Sequence, residues 1–285
     1  MSFIQRQRAI ARRLSEYRLH YAEDSLLRLD DLESLNIPPE KRGQPYFLAY
    51  YSPEGLDYAL HEYGIYRELE KRGFSDIRMQ LDTEDPYQHR LALYAGEISE
   101  ERLLHEVVMK RRKFNFDDRL CPSLAGHAFQ FLAVEWVCLQ NPQASFSQQK
   151  RPLPGQTHPG LGMGKFVMAL IQISAERLGL DGVLTQPAWL HNAIMYKQAF
   201  HFLDPAHEGR LLAMQRDLVN PLGLQAASWA LEKDLVLENK QPFRWFHADQ
   251  LLPLHPLLKS WFKGLSYQIQ TRQIQFQVHY QKKNA

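Results

Sequence analysis

Gly160, Gly162 and Gly164 stand at alternate positions and run directly into Phe166–Leu178, a segment whose first half is apolar on nearly every face. A helix without a polar side has to be buried, so the chain must build a core around this segment. Glycines leave backbone N–H groups uncovered, and the first turn of the following helix adds four more unpaired donors at the positive end of its dipole. Such a row of donors suits an anion of the pyrophosphate kind. Spacing excludes two familiar forms of this cradle. A P-loop needs glycine where Pro159 stands and Ser or Thr where Phe166 stands. The G-x-G-x-x-G dinucleotide fingerprint, started at Gly162, meets Val167 at its third glycine.

The order of elements that follows narrows the choice. Gly179 ends the buried helix as a C′ glycine, Leu180–Thr185 reads as a short strand, and Pro187 is expected to open a second helix at its first position. That helix closes with Tyr196-Lys197-Gln198-Ala199-Phe200. Glycine loop, buried helix, strand, then a helix ending in Tyr and an aromatic is the order of the GNAT superfamily of N-acetyltransferases, and the chain resembles that family here. In the family the loop reads Arg/Gln-Gly-x-Gly-x-Gly/Ala and the second helix ends Tyr-x-x-x-Gly-Phe. Gly160, Gly162, Gly164, Val167, Met168, Tyr196, Lys197 and Phe200 match this pattern. Pro159 stands in place of the Arg or Gln, Trp189 where the family often has Asn, and no glycine precedes Phe200.

The resemblance implies an α/β fold with a mixed, twisted sheet flanked by helices. It implies that Gly160, Leu161, Gly162, Met163, Gly164 and Lys165 bind acetyl-coenzyme A or another acyl-coenzyme A as cosubstrate. The acyl group would pass to the amine of a small molecule or peptide. Tyr196 matches the family's acid, which serves the leaving thiolate; taken by itself, it is equally a tyrosine that packs its ring and hydrogen bonds locally. A non-catalytic relative binding a ligand or partner with the same fold stays open, as does a carrier-linked long-chain acyltransferase.

Upstream of the loop, residues 1–29 have helical spacing, with Arg6, Arg8, Arg12, Arg13 and Arg18 forming a solvated basic face; Glu16, Glu23 and Asp24 interrupt the charge run. Asn36–Gly43 has linker composition, which divides the chain into an N-terminal helical extension, 1–42, and an acyltransferase-like domain, 43–285. Pro45–Tyr51 is expected to be a strand, and Ser52-Pro53 a capped helix start for a helix reaching Arg72. Ile77–Asp82, Arg90–Ala95, Leu103–Lys110 and Phe129–Leu139 are strand candidates. The Gln-, Pro- and Ser-rich stretch from Gln140 to Pro159 reads as an insertion rather than a mobile flap. With these elements the resemblance extends, more weakly, over residues 45–203.

Downstream, Asp204 caps a helix through Leu218, Gly223–Leu231 has helical character, and Pro253 and Pro256 limit any helix in Gln250–Phe262 to short pieces. Ile274–Tyr280 alternates as a half-buried strand. In the family two closing strands follow the helix ending in Tyr; Phe200–Leu203 and Ile274–Tyr280 are expected to be that pair, around a helical insertion at 204–266.

Composition excludes several classes. With 285 residues, 45% of them hydrophobic, the chain can bury a full core. A net charge of +2 gives no reason to expect nucleic acid or an anionic membrane as partner. No apolar run approaches the ~20 residues of a membrane span. Two cysteines, Cys121 and Cys138, are too few for a disulfide scaffold, and without a secretory leader the expected compartment is the cytoplasm. The histidines show no metal-ligand spacing, so no metal is expected. Self-association is left open. Transfer to an amine also needs a base, and Glu135 is the one carboxylate inside the apolar strand 129–139. Desolvation would suit it to that role, if it does not lie on the outward face.

Overall fold

The computed structural model describes residues 2–20, 46–116, 121–273 and 278–280. Residues 21–45 and 274–277 lie outside the described residues, and with them the whole expected linker, the last part of the expected helix at 1–29 and the start of Ile274–Tyr280. The protein is α/β, with a mixed seven-stranded sheet flanked by helices. Its strands are β1 (Ile77–Asp82), β2 (Gln88–Ala95), β3 (Leu103–Asn115), β4 (Ala128–Leu139), β5 (Gly182–Thr185), β6 (His201–Phe202) and, later in the chain, Gln250–Pro253. The order is β1-β2-β3-β4-β5, then Gln250–Pro253, then β6.

Two compact units divide the chain. One comprises Met1–Arg111, Val134–Pro142 and Gly160–Gly179; the other comprises Arg112–Ala133, Gln143–Pro159 and Leu180–Ala285.

In the first unit β1, β2 and β3 form an antiparallel meander, with Ile77 opposite Ala95 and Leu91 opposite Val107. Over the described residues 2–20 the expected N-terminal helix is two pieces, α1 (Phe3–Ala11) and α2 (Glu16–His20). Helix α1 starts on a capping box between Ser2 and Gln5. It lies along α5 (Gly164–Arg177), with Phe3 edge-on to Phe166 and Arg8 Nε donating to Glu176 at 2.9 Å. Every side chain from Phe166 to Leu178 is buried or half-buried, the apolar first half as its composition requires and the polar Gln172, Ser174, Glu176 and Arg177 of the second half only half-buried.

Two expectations in this unit need correction. Tyr46–Tyr51 is a tight turn, not a strand: Phe47 bridges Tyr51, and Leu48 and Ala49 both take positive φ. The turn is held from outside, because Leu48 N–H donates to His89 Nδ1 and Arg111 donates to the Leu48 carbonyl, each at 2.6 Å. The single helix from Pro53 to Arg72 is broken into α3 (Pro53–Tyr63) and α4 (Ile65–Glu70) at Gly64, which adopts the left-handed conformation glycine tolerates.

The second unit contains α6 (Leu190–Tyr196), α7 (Pro205–Met214), a π-helical turn at Gln215–Val219, α8 (Asn220–Leu222) and α9 (Leu224–Glu232). Asp204 caps α7 by accepting from Ala206 N, as its position predicts. Three short strands follow, β7 (Val236–Glu238), β8 (Gln241–Pro242) and β9 (Gln250–Pro253), then α10 (Pro256–Lys263), α11 (Leu265–Gln273) and β10 (Val278–Tyr280). The closing pair of the large sheet is β6 with β9, His201 opposite Leu251 and Phe202 opposite Gln250. The sequence-based pairing of Phe200–Leu203 with Ile274–Tyr280 is therefore incorrect: β10 pairs with β7 in a separate three-stranded sheet. The first four residues of Gln250–Phe262 are strand, and a helix starts only at Pro256.

One core of this unit gathers Phe116, Phe129, Phe131, Leu184, Leu251, Trp261, Phe262 and Tyr267. Another gathers Leu190, Ala193, Phe202, Leu211, Met214, Ala230 and Val236, with Trp245 and Phe246 against it. Among the described residues no helix is long and apolar enough to cross a membrane.

Candidate functional site

The glycine loop and the end of β4 belong to the first unit. Leu161 and Met163 are buried, at 6% and 3% exposure, whereas Gly162 and Gly164 are exposed. The alternate spacing of the glycines thus has a physical cause. The apolar residues anchor the loop inward and the glycines face out, where an added Cβ would meet no atom within 4 Å at either position. Gly162 also needs to be glycine for its φ of +71°.

Helix α5 begins without a side-chain cap; its first bonds run from Phe166 N–H and Val167 N–H to the Met163 carbonyl at 2.9 and 3.0 Å. Among the described residues, the N–H groups of Leu161, Gly162, Met163, Gly164 and Lys165 meet no hydrogen-bond acceptor. These bare amides lie at the positive end of a fourteen-residue helix.

Gly160 sits beside the last residue of β4: a Cβ there would lie 3.6 Å from the Leu139 carbonyl oxygen. A strand inside a sheet is normally covered, yet beyond Val134 β4 opens. Glu135 is exposed, Trp136 is 46% exposed, and Val137, Cys138 and Leu139 are half-buried. The end of the strand is held by β3, through His105 Nδ1 on the Cys138 carbonyl at 3.0 Å and Gln140 N–H on the Leu104 carbonyl at 2.9 Å. A carbonyl can only accept, so His105 carries its proton on Nδ1, and burial lowers its pKa and keeps it neutral. Burial, helped by Glu106, pushes the Cys138 thiol up to about 11, so it is a protonated thiol at neutral pH.

Glu135 does not meet the condition that made it a candidate base. It is on the outward side of β4 and pairs with Lys110 at 2.9 Å, in a solvated setting rather than a desolvated one.

Tyr196 belongs to the second unit, at the end of α6. Burial raises its phenol above the ordinary value, with the Asn192 side chain one turn earlier opposing the shift. It is therefore a hydroxyl donor at neutral pH. The helix begins later than Pro187: Trp189 is extended and Leu190 is the first helical residue. Tertiary contacts decide this start. Trp245 Nε1 donates to the Pro187 carbonyl at 2.9 Å, and the Trp189 ring lies against Gly155. Next to it His191 stacks on Trp189 at 5.7 Å and is buried, with no hydrogen-bond partner for Nδ1 among the described residues; burial lowers its pKa to about 4.

The stretch 143–159 belongs to the second unit and is pinned there. Trp229 Nε1 and Gln225 Nε2 both donate to the Pro152 carbonyl, at 2.8 and 3.3 Å. These anchors favour the insertion over the flap.

Two residues of the first unit were missed in the sequence. Arg72 donates through Nε to the Leu161 carbonyl at 2.9 Å, and His105 fixes the end of β4. The Glu68…Arg72 helical pairing is visible as i, i+4 spacing, but nothing in the sequence shows that Arg72 reaches the loop. Among the described residues, no three His, Cys, Asp or Glu side chains cluster as metal ligands. No protein-family model, no curated protein and no solved structure matches the chain.

Proposed function

We propose that the chain binds an acyl-coenzyme A through Gly160–Lys165 and transfers the acyl group, acetyl in the first instance, to an amine. The observation that carries this reading is the loop itself: side chains inward at Leu161 and Met163, glycines outward at Gly162 and Gly164, and a row of amides without acceptors leading into α5. This arrangement suits the pyrophosphate of a nucleotide-linked cosubstrate. The open end of β4 beside it offers a partly apolar wall for an extended thioester arm.

In the reaction the amine nitrogen attacks the thioester carbonyl, the C–S bond breaks, a proton leaves the nitrogen and the thiolate gains one. Tyr196 is the proposed donor to the sulfur. The pairing of Glu135 with Lys110 leaves the base unassigned and favours a second reading, in which the chain binds the cosubstrate without turnover.

Titration calorimetry with acetyl-coenzyme A tests binding, and thiol release across a panel of amines tests transfer. Saturable binding in the micromolar range is expected. Absence of binding at millimolar acetyl-coenzyme A would overturn both readings, and binding without thiol release on any amine would favour the second.

A further inference from the structure

The peptide joining Leu161 to Gly162 is trans and planar, so its carbonyl and its N–H point in opposite directions. Arg72 takes that carbonyl with Nε at 2.9 Å. Its Nη1 is held in turn by the Glu68 backbone carbonyl at 2.6 Å and the Glu68 carboxylate at 2.8 Å. Both residues stand on or next to α4, whose C-terminal end therefore grips the loop from behind. With the Leu161 carbonyl fixed on one side, the Gly162 N–H is aimed to the other, where Gly162 presents no side chain.

We infer that Arg72 is a positioning residue for the coenzyme loop, acting through the Leu161 carbonyl to orient the Gly162 amide toward the cosubstrate. This inference rests on the coenzyme reading above. The guanidinium suits the task because its planar fork donates to Leu161 and Glu68 at once, in a fixed relation that a lysine ammonium cannot reproduce. Glu68 sets the rotamer of Arg72, and Lys71 Nζ, at 2.6 Å from Glu68 Oε1, steadies the carboxylate. The loop conformation is thus imposed from a different element, 89 positions earlier in the chain.

The test is the affinity for coenzyme A of the wild type, Arg72→Ala, Arg72→Lys and Glu68→Gln, measured by calorimetry with a thermal melt of each protein. Both Arg72 variants are expected to lose affinity by about tenfold with melting temperatures close to wild type, as for one misaimed hydrogen bond to a charged ligand, and Glu68→Gln to lose less. Wild-type affinity in Arg72→Lys would show that charge alone suffices and would overturn the positioning role; wild-type affinity in Arg72→Ala would overturn it outright. Either result leaves the coenzyme reading standing. If Arg72→Ala does not fold, Arg72→Lys and Glu68→Gln decide. A wild type that does not bind coenzyme A would overturn the coenzyme reading and this inference with it.

Discussion

The Glu208 carboxylate accepts the backbone N–H of Phe202 at 2.9 Å, across the outer edge of β6. Tyr267 completes the closure by donating its hydroxyl to the Phe202 carbonyl at 2.7 Å. Strand β6 is the last of its sheet, and an open edge strand invites pairing with another chain. Here two side chains satisfy the outward-facing N–H and carbonyl of Phe202, and both are buried.

Burial raises the Glu208 carboxyl above the ordinary range, opposed by the Phe202 N–H and by Lys197. The folded pKa therefore exceeds the unfolded one, so from about pH 4.3 upward the unfolded chain gives up its proton first. Stability should fall as pH rises from there to the folded pKa. Glu208→Gln should lose this component, so the stability difference between wild type and variant should move against the wild type between pH 4.5 and 7. Urea unfolding at the two pH values measures it. A constant difference would show that Glu208 is not titrating in this range. Glu208→Ala should cost about 1–3 kcal/mol by leaving the Phe202 N–H unpaired.

Gly155 takes a φ of +76°, and a Cβ there would lie 2.2 Å from the ring of Trp189. Gly155→Ala should therefore destabilise by about 1–3 kcal/mol, from overpacking and from the backbone conformation together. Combined with Trp189→Leu, the added cost of the alanine should shrink, since part of the clash is gone. Chemical denaturation of the two single variants and the double variant reads the coupling. Additive losses would mean that Trp189 does not hold the loop at Gly155.

Tyr196→Phe separates chemistry from packing. If the hydroxyl serves the leaving thiolate, turnover should fall about 10²-fold or more with coenzyme affinity nearly unchanged. If it only hydrogen bonds within α6, the melting temperature should drop by a few degrees, in line with about one hydrogen bond, and activity should persist. Thiol-release kinetics and a thermal melt on the one variant distinguish the two, and an unchanged rate would remove Tyr196 from the mechanism.

The elements that local chemistry dictates were legible in the sequence. Strands β1 to β4 follow from alternation and β-branched or aromatic runs, α5 from an apolar segment bounded by glycines, and α7 from Asp204-Pro205. The glycine loop was legible as well, because its pattern records which residues face inward. Contacts far apart in the chain decided the rest. Pro187 looks like a helix start until Trp245 takes its carbonyl and Trp189 packs on Gly155. Tyr46–Tyr51 has strand composition but is bent by His89 and Arg111. Glu135 sits in an apolar run, yet solvent and Lys110 reach it because β4 opens at that residue. Strand β9 replaced the expected C-terminal partner of β6 because pairing between distant short strands depends on which backbone edges and side-chain faces meet, and a four-residue stretch such as Gln250–Pro253 carries too little periodicity to announce it. The sequence by itself determined which segments are buried and where the bare amides lie. Only the tertiary structure decided which distant groups hold them in place, because a hydrogen bond such as Arg72 to Leu161 depends on how the chain is packed and leaves no local signal.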